Sequence, residues 1–562
     1  MNSFVKKILV MSELNKSRLI LFIVFFLILS IFDLIGISMI SPFIDIAFNN
    51  DSKKLDKLMT FFNNFSVKNN LIYYFGLFIA LIFFLKLILY VFCNYLIFRH
   101  CFNNGTYLRE NLLNKYFTNI NKNLSLYSNS DLIYRITNLV AIFSQGFILN
   151  LLKISSEIIV ALSILIFLAF INLKILSLSI IIILIILFVF DFLFNSKLKS
   201  YGQKSNIFQK NMVNTIKEAV MGSKEISILG AEDYFLNNIK KNSTNYAKLN
   251  IYHHLISGLP RYLIELIIML ILVSSILITL YLNDNPIDNI STFSLFGIAA
   301  LRLAPCATQI IRGITNIKFN INSVDQLYEL FSEDIKKQNI DKNDSFKFNS
   351  IKINSLNFKY DENESIFENL DFALKKGEKI CILGKSGSGK TTFLDILLGF
   401  KNAQKGNFYL NDEKIYEKDL KLFRDIFSYI PQGFFIIKGS LFENISFNQK
   451  PNLSEIENVL NLSNLSNTRF DLDTYIDEEG TNISGGQKQR ISLARSFYHK
   501  RDIIILDEST NALDEDTEKN ILDNLASIKK ELTLIMVAHK IKSFDYFDKV
   551  YEIRNKKLIK IK

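Results

Sequence analysis

The chain contains no tryptophan and only four cysteines among its 562 residues. Cys93, Cys101, Cys306 and Cys381 lack the spacing of a zinc site or of a disulfide framework, so we expect reduced or inert thiols. Basic residues outnumber acidic ones by 65 to 54 but form no long patch, which argues against a nucleic-acid binder. The missing tryptophan, with many Asn, Lys, Ile and Phe residues, is typical of an AT-rich bacterial genome.

Long apolar runs fill the first half of the chain, whereas the second half alternates in the manner of a soluble α/β domain. Six runs are each close to the ~20 residues that cross the hydrocarbon of a bilayer as a helix. They comprise residues 19–48, 71–98, 143–171, 175–194, 263–282 and 291–317. The first is too long for the apolar part of a secretory signal and lacks a small-residue cleavage site, so we expect an uncleaved span.

Loop charge predicts the orientation of these spans. Lysine and arginine precede the first span and fill the segments between spans two and three and between spans four and five, while residues 283–289 are acidic. By the positive-inside rule, we expect both termini and the soluble half on the cytoplasmic side of a bacterial inner membrane.

The loop at residues 49–70 is rich in lysine although it is expected outside. The helical spacing of Leu55, Leu58, Met59 and Phe62 predicts a short amphipathic helix on the outer membrane surface. An ordinary solvated loop is the alternative.

Two connectors, residues 99–138 and 197–261, far exceed the length of a turn and contain helix-forming residues of mixed charge. We expect the spans to continue as helices into the cytoplasm, turn and return, with the turns docking onto the soluble domain. Residues 1–329 are therefore predicted to form an all-α transmembrane domain, 330–349 a polar linker, and 350–562 an α/β domain with a phosphate-binding loop.

The phosphate-binding loop follows a predicted strand. Gly384 to Thr391 reads GKSGSGKT and fits the pattern GxxxxGK[ST], whose glycines let backbone N–H groups approach phosphates at a helix N-terminus. Lys390 is expected to reach the β- and γ-phosphates, and the Thr391 hydroxyl to bind Mg²⁺. The candidate nucleotide-binding residues here are Gly384, Lys385, Ser386, Gly387, Ser388, Gly389, Lys390, Thr391 and Thr392.

A second element is the apolar run from Ile503 to Leu506, which predicts a buried strand ending in Asp507 and Glu508. Asp507 would hold Mg²⁺ directly or through water, and Glu508 would polarise the water that attacks the γ-phosphate. The alternative, a core strand with two solvated acids at its tip, is disfavoured by the phosphate-binding loop.

A third element, SGGQ at residues 484–487, precedes a predicted helix and offers a second set of backbone donors. Because SGGQ stands shortly before an apolar strand ending in Asp-Glu, the chain is identified as a member of the ATP-binding cassette (ABC) superfamily. Six spans followed by one cassette resemble an ABC exporter half-transporter over essentially the whole chain.

The resemblance implies roles for further residues. Tyr360 resembles the aromatic residue that stacks on adenine, and Asp514 belongs to a stretch similar to the loop that crosses between two cassettes. Gln432 resembles the glutamine that contacts Mg²⁺ and links the ATP site to the membrane domain, and His539 the histidine that contacts the γ-phosphate. The implied catalytic residues are Glu508, His539 and Gln432, and the implied metal ligands are Thr391, Gln432 and Asp507.

The resemblance also implies a homodimer with two ATP molecules between its cassettes, in which Ser484 and Gly486 serve the ATP held by the partner. Gly485 and Gln487 of the same motif are further candidate nucleotide-binding residues. A heterodimer is the alternative. The chain departs from the family at Ile483, Lys540 and Asp477, where Leu, Arg and Gly are usual. None of these changes removes a phosphate contact, so we expect competent hydrolysis.

Some charged residues of the predicted spans have a partner close by in sequence. A charge in a span is costly unless it faces an opposite charge or water. Lys153 and Glu157 are four residues apart, as are Arg261 and Glu265, so each pair is expected to be neutralised along one helix face.

Lys86, Arg302 and Arg312 lack an opposite charge at that spacing within their spans. Two interpretations stay open: these cations line a basic cavity that binds an anionic substrate, or they are structural. Asp33 and Asp191 favour the second if either pairs with a basic residue from another span, and Arg312 also fits a position at the cytoplasmic end.

The membrane half further resembles the bacterial lipid-linked oligosaccharide flippases of the PglK type. The likeness rests on SPFIDIAF in the first span, the segment after it, Lys86, GLPRYLIE with Arg261, and ALRLAP with Arg302. It implies a substrate with a polyprenyl tail, a pyrophosphate and a glycan, attracted by these basic residues. Gln309 stands where that subgroup has another arginine, a departure that bears on which glycan is carried.

The leading interpretation is ATP-driven movement of an anionic lipid-linked sugar to the outer leaflet. Export of a peptide, another lipid or a hydrophobic drug is the alternative, although the ~18 residues before the first span disfavour a self-processing peptide exporter. A non-transporting membrane ATPase and an importer are the remaining classes, disfavoured by Glu508 and by spans and cassette on one chain, respectively.

Overall fold

A computed structural model describes residues 2–48, 71–118, 128–171, 173–281, 290–332, 347–360, 365–416, 419–447, 453–466, 470–508, 532–539 and 545–562. The chain divides into two compact units, one formed mainly by residues up to 334 and the other mainly by residues from 335 onward. The predicted amphipathic helix at 49–70 lies outside the described residues, as does most of the predicted linker.

In its described residues, the first unit consists of helices joined by short non-helical segments. Its helices are α1 (Asn2–Ser12), α2 (Lys16–Phe48), α3 (Leu71–Thr118), α4 (Asn129–Tyr134), α5 (Leu149–Ile171), α6 (Leu173–Met221), α7 (Ser223–Leu229), α8 (Glu232–Tyr281) and α9 (Ile290–Ser332). Two wider, π-helical stretches, Arg135–Leu139 and Ile142–Ile148, connect α4 to α5.

Several of these helices are much longer than a membrane crossing. Helix α6 has 49 residues and α8 has 50. At about 1.5 Å per residue, each is ~75 Å long, against ~30 Å of hydrocarbon. The prediction that spans continue as helices into the connectors is therefore confirmed. Among the described residues, three helical stretches are long and apolar enough to cross a membrane: Lys16–Met39, Tyr73–Thr118 and Asn129–Phe170.

Small and polar residues let the long helices approach closely. A Cβ atom at Gly202 of α6 would lie 1.8 Å from the carbonyl oxygen of Phe319 in α9, so only glycine fits there. Nearby, the Asn206 amide donates a 2.7 Å hydrogen bond to the Ser323 hydroxyl, also between α6 and α9. Close backbone approach and buried polar pairs of this kind are typical of helix packing in membrane proteins.

The second unit is α/β. Its strands are β1 (Ser350–Lys359), β2 (Ser365–Lys375), β3 (Lys379–Leu383), β4 (Lys405–Leu410), β5 (Glu413–Lys414), β6 (Phe427–Ile430), β7 (Gly439–Ser440), β8 (Tyr475–Ile476), β9 (Ile503–Asp507), β10 (Thr533–Ala538), β11 (Lys549–Arg554) and β12 (Lys557–Lys560). Its described helices are α10 (Lys390–Leu397), α11 (Leu420–Arg424), α12 (Leu441–Ser446), α13 (Leu453–Leu462) and α14 (Gly485–Tyr498).

A six-stranded sheet has the order β12-β11-β3-β10-β9-β6, and an antiparallel sheet has the order β2-β1-β4-β5. In the larger sheet the five strands from β11 to β6 are parallel. Strands β9 and β10 are buried along their whole length, as their unbroken apolar runs predict. The core between the two sheets contains Phe367, Phe372, Phe393 and Ile505.

Candidate nucleotide site and membrane charge cluster

The parallel sheet gathers the sequence motifs at one edge. Strands β3, β10, β9 and β6 are neighbours, and the carboxyl ends of parallel strands point the same way. Strand β3 leads into Gly384, β6 leads to Gln432, β9 ends at Asp507 next to Glu508, and β10 leads to His539. The spacing of these motifs along the chain does not reveal this strand order.

The phosphate-binding loop requires glycine at Gly389, where φ is +100°. A Cβ atom there would lie 2.9 Å from Ile366 and 3.0 Å from Phe367, which is too close for any side chain. The Lys390 ammonium is buried and folds across the loop, donating hydrogen bonds to the carbonyl oxygens of Gly384 at 2.9 Å and Lys385 at 3.2 Å.

The loop fits a phosphate-bearing nucleotide. The Ser388 hydroxyl is buried without a hydrogen-bond partner in the part of the chain that the structure describes. A buried polar atom of this kind calls for a partner. Helix α10 begins directly after the loop, so its unpaired backbone N–H groups and the Lys390 ammonium give the loop positive character.

Three donors converge on the Glu508 carboxylate. The Lys390 ammonium and the His539 Nε2 atom each lie 3.2 Å from Glu508 Oε1, and the Gln432 amide donates to Oε2 at 3.2 Å. Glu508 has a left-handed backbone, with φ at +48°, and its N–H donates to the Val537 carbonyl at 2.9 Å. This strained conformation redirects the chain, so Asp507 ends the strand while Glu508 faces the donors.

Asp507 is buried, with 4% of its surface exposed. Burial raises the pKa of its carboxyl group above the ordinary value, and the Tyr429 hydroxyl opposes this by donating a 2.9 Å hydrogen bond to Oδ2. The sequence reasoning missed Tyr429. Tyr429 lies in β6, three residues before Gln432, and reaches Asp507 because β6 pairs with β9, a pairing that the sequence does not reveal.

The oxygen atoms of Asp507, Thr391 and Gln432 are of the type that Mg²⁺ prefers. Asp507 ends β9, Gln432 follows β6 beside it, and Thr391 lies in the first turn of α10 with its side chain exposed. This donor set fits a magnesium ion, which these three residues would hold.

Tyr360 follows β1 and is 55% exposed. Its hydroxyl lies 3.0 Å from the Thr392 hydroxyl and accepts a 2.6 Å hydrogen bond from Lys401. The Lys401 ammonium also lies 4.7 Å from the centre of the Tyr360 ring, a cation–π distance. Lys401, which pairs with Asp395 at 2.8 Å, was not predicted and fixes the ring beside the start of α10.

A cleft of about 650 Å³ lies beside the loop. It is lined by Leu383, Gly384, Lys385, Ser386, His539, Glu552 and Ile561. Glu552 and Ile561, from β11 and the segment after β12, had no motif that could have predicted them.

SGGQ starts α14 as predicted. The Ser484 hydroxyl accepts a 3.3 Å hydrogen bond from the Gln487 N–H, and the Gln487 side chain accepts a 2.8 Å hydrogen bond from the Ser484 N–H. Ser484 and Gln487 thus cap the helix reciprocally, and the two residues between them, Gly485 and Gly486, have no side chains. Asp514, the remaining predicted residue, lies outside the described residues.

In the first, helical unit, which we call the membrane unit, the Asp33 carboxylate of α2 contacts cations from two other helices. The Arg302 guanidinium of α9 donates to both of its oxygens, at 3.2 and 3.0 Å, and the Lys86 ammonium of α3 forms an ion pair with Oδ1. Glu157 of α5 lies 3.7 Å from Arg302. Asp33 therefore pairs with basic residues of two other spans, which is the arrangement that favours a structural role for Lys86 and Arg302.

The two expected pairs along single helices have different outcomes. Arg261 and Glu265 pair at 2.8 Å on the surface of α8, as predicted. The expected pair of Lys153 with Glu157 is wrong for the described residues, because Glu157 faces Arg302 while the Lys153 ammonium lies 5.2 Å from the Phe98 ring. Because α5 packs against α9, Arg302 lies near Glu157 in place of Lys153.

Arg312 and Asp191 are two further charged residues of the predicted spans. Arg312 is exposed in the helical unit. The Asp191 side chain lies outside the described part of the chain.

Sequence profiles of two families match the chain: the ABC transporter transmembrane region over residues 19–300 and the ABC transporter family over residues 367–511. An ATP-dependent permease MDL1 of Candida albicans is 27% identical over 79% of this chain and 67% of its own length. An ATP-dependent lipid A-core flippase 2 of Colwellia psychrerythraea is 27% identical over 65% of each chain. A lipid A-core flippase of Francisella tularensis subsp. holarctica is 27% identical, and the match spans 60% of its length.

Among solved structures, a bacterial Atm1-family ABC exporter with ATP bound has the same fold. The TM-score is 0.80 with 18% identity, and the match covers 97% of this chain and 95% of that one. The chain belongs to the ABC transporter family and joins a helical transmembrane domain of that family to an ABC ATPase domain.

Proposed function

We propose that this protein binds ATP with Mg²⁺ and hydrolyses it to drive export across a bacterial inner membrane. The observation that carries the proposal is the convergence of Lys390, Gln432 and His539 on the Glu508 carboxylate, beside a loop built for phosphate. A general base must lie within reach of the groups that bind the reacting phosphate, and this arrangement supplies that.

Each residue has a proposed role. Lys390, the loop glycines and Ser388 hold the phosphates, and Tyr360, steadied by Lys401, offers its ring to adenine. Glu508 accepts the proton of the attacking water, and His539 and Gln432 position the γ-phosphate and the metal. Asp507 and Thr391 hold Mg²⁺, which neutralises charge on the phosphates when bound.

We propose a homodimer in which SGGQ of one copy, with Asp514, completes the nucleotide pocket of the other. The start of α14 offers backbone donors at Gly485 and Gly486 that no side chain covers, which suits a phosphate group. We also propose that both termini and the ATPase domain lie in the cytoplasm, because the loop charges predict this orientation.

The proposed cargo is an anionic lipid-linked oligosaccharide. Three cations of the membrane unit support an anionic headgroup: Lys86 and Arg302 in the cluster around Asp33, and exposed Arg261. Exposed Arg312 is a fourth candidate. The names of the flippase relatives point to glycolipids as a substrate class.

The test is transport of a labelled polyprenyl-pyrophosphate glycan in vesicles containing the purified protein. We expect ATP-dependent movement of the label between leaflets, with none for Glu508→Gln. If ATP is hydrolysed but the label does not move, the cargo is wrong while the ATPase stands. Stimulation of ATPase activity by peptides or dyes instead would identify the alternative exporter.

A further inference from the structure

The cluster around Asp33 is layered. The side chain of Asp33 is only 3% exposed, whereas those of Lys86 and Arg302 are 21% and 24% exposed. The carboxylate is therefore more deeply buried than either cation, and the ammonium and the guanidinium are the more accessible groups of the cluster. The second carboxylate, Glu157, is 16% exposed and lies farther from Arg302, at 3.7 Å.

The formal charges of this cluster cancel among the described side chains, with two cations against two carboxylates. A cancelled cluster attracts an anion much less than two free cations would, because the buried carboxylate already occupies the guanidinium in a two-oxygen contact. A pyrophosphate offers the same kind of oxygen pair and carries more charge.

We propose that Asp33 is an internal counter-anion that competes with the anionic headgroup of the cargo for Lys86 and Arg302. It sets how tightly the two cations hold an anion, so that a charged lipid binds by displacing the carboxylate and is released when the carboxylate returns. This inference rests on the proposed anionic cargo, and Asp33 acts through the two cations as a positioning residue.

The structure supplies a matched control. Asp131 is also a buried carboxylate that holds two cations, Arg135 at 3.0 Å and Lys210 at 2.6 Å. It lies on α4, outside the cluster around Asp33. Asp131→Asn removes the same charge from the same kind of contact without touching the proposed site.

The experiment measures binding of a labelled polyprenyl pyrophosphate to the full-length protein in lipid nanodiscs. An uncharged polyprenol of equal length is the comparison lipid. We expect Asp33→Asn to bind the pyrophosphate at least about tenfold more tightly, a change worth roughly 1.4 kcal/mol, with polyprenol binding unchanged. We expect Asp131→Asn to leave both affinities unchanged, and Lys86→Met to weaken pyrophosphate binding alone.

Thermal unfolding of each variant keeps the result interpretable. If Asp33→Asn does not fold, Glu157→Gln replaces it and should tighten pyrophosphate binding by a smaller factor, because its contact with Arg302 is longer. Equal affinity for the pyrophosphate in wild type and in the folded variant would reduce Asp33 to a structural contact and leave the proposed cargo intact. Absence of pyrophosphate binding in every variant would overturn both proposals, while ATPase activity would report on the catalytic site separately.

Discussion

At the scale of single residues, the nucleotide site depends on two adjacent carboxylates with different surroundings. Asp507 is buried under Tyr429, whereas Glu508 turns into a left-handed conformation and meets three donors. The change of backbone direction between them separates a metal-binding role from a proton-accepting role. Two neighbouring acids can therefore serve one reaction without sharing a task.

Glu508→Gln tests the proton-accepting role. We expect ATP hydrolysis to fall at least ~100-fold, because the amide cannot accept a proton, while nucleotide binding persists. The measurement is phosphate release alongside equilibrium binding of labelled ATP. Glu455→Gln, which removes an exposed carboxylate paired with Lys500, is the control and should keep normal hydrolysis. Unchanged hydrolysis in Glu508→Gln would assign the base elsewhere.

Tyr429→Phe tests how Asp507 is kept ionised. The hydroxyl donates to the carboxylate and stabilises its charged form, so its loss should raise the pKa of Asp507 further above the ordinary value. Protonation of Asp507 competes with Mg²⁺ binding. As the pH is lowered, the variant should therefore lose ATPase activity at a higher pH than wild type does, and it should need more Mg²⁺. The pH profile and a Mg²⁺ titration measure this. Tyr475→Phe, at an exposed tyrosine, should match wild type.

At the scale of secondary-structure elements, the helical unit depends on close contacts between long helices. Its residues Gly146, Gly202 and Gly313 each leave less than 3 Å for an added Cβ atom before a neighbouring helix is met. Gly146 faces the side-chain amide of Asn320 and Gly313 faces the side chain of Ile154, whereas Gly202 faces a backbone carbonyl at a still shorter distance. The contact of α6 with α9 is therefore the least tolerant of the three.

Gly202→Ala tests this contact. The added methyl group overlaps the Phe319 carbonyl, so we expect a loss of about 1–3 kcal/mol in stability. Gly258→Ala is the control, since a Cβ atom there meets nothing within 4 Å. The four cysteines are free and buried, so a thiol-reactive dye can follow thermal unfolding in detergent. Equal unfolding temperatures for the two variants would contradict the predicted overlap.

At the scale of the whole molecule, the proposed pumping cycle needs two copies that complete each other's pockets. If the nucleotide pockets form between chains, Lys390 and Ser484 of one chain belong to two different pockets. If each chain forms its own pocket, they belong to the same pocket. Isolated dimers of defined composition separate these cases.

The first dimer joins a Lys390→Ala subunit to a Ser484→Arg subunit, and the second joins a doubly substituted subunit to a wild-type one. With shared pockets the first dimer keeps one intact pocket and the second keeps none. We expect ATPase activity at least about tenfold higher in the first dimer. The reverse order would show that each chain forms its own pocket, and the homodimer mechanism would then fail.

The sequence by itself determined the parts of the nucleotide site. The loop from Gly384 to Thr391, the apolar strand before Asp507 and the cap at Ser484 were all predictable, because each depends on residues within a few positions of one another. The long helices were predictable for the same reason, since apolar runs and helix-forming connectors act locally.

Only the tertiary structure decided which of these parts meet. Tyr429 reaches Asp507 across 78 residues because β6 pairs with β9, and Arg302 reaches Asp33 across 269 residues because α9 packs against α2. The sequence predicted Lys153 as the partner of Glu157, and helix packing placed Arg302 next to Glu157 instead. Strand order and helix packing are set by burial of apolar surface over the whole unit, which no short stretch of sequence encodes.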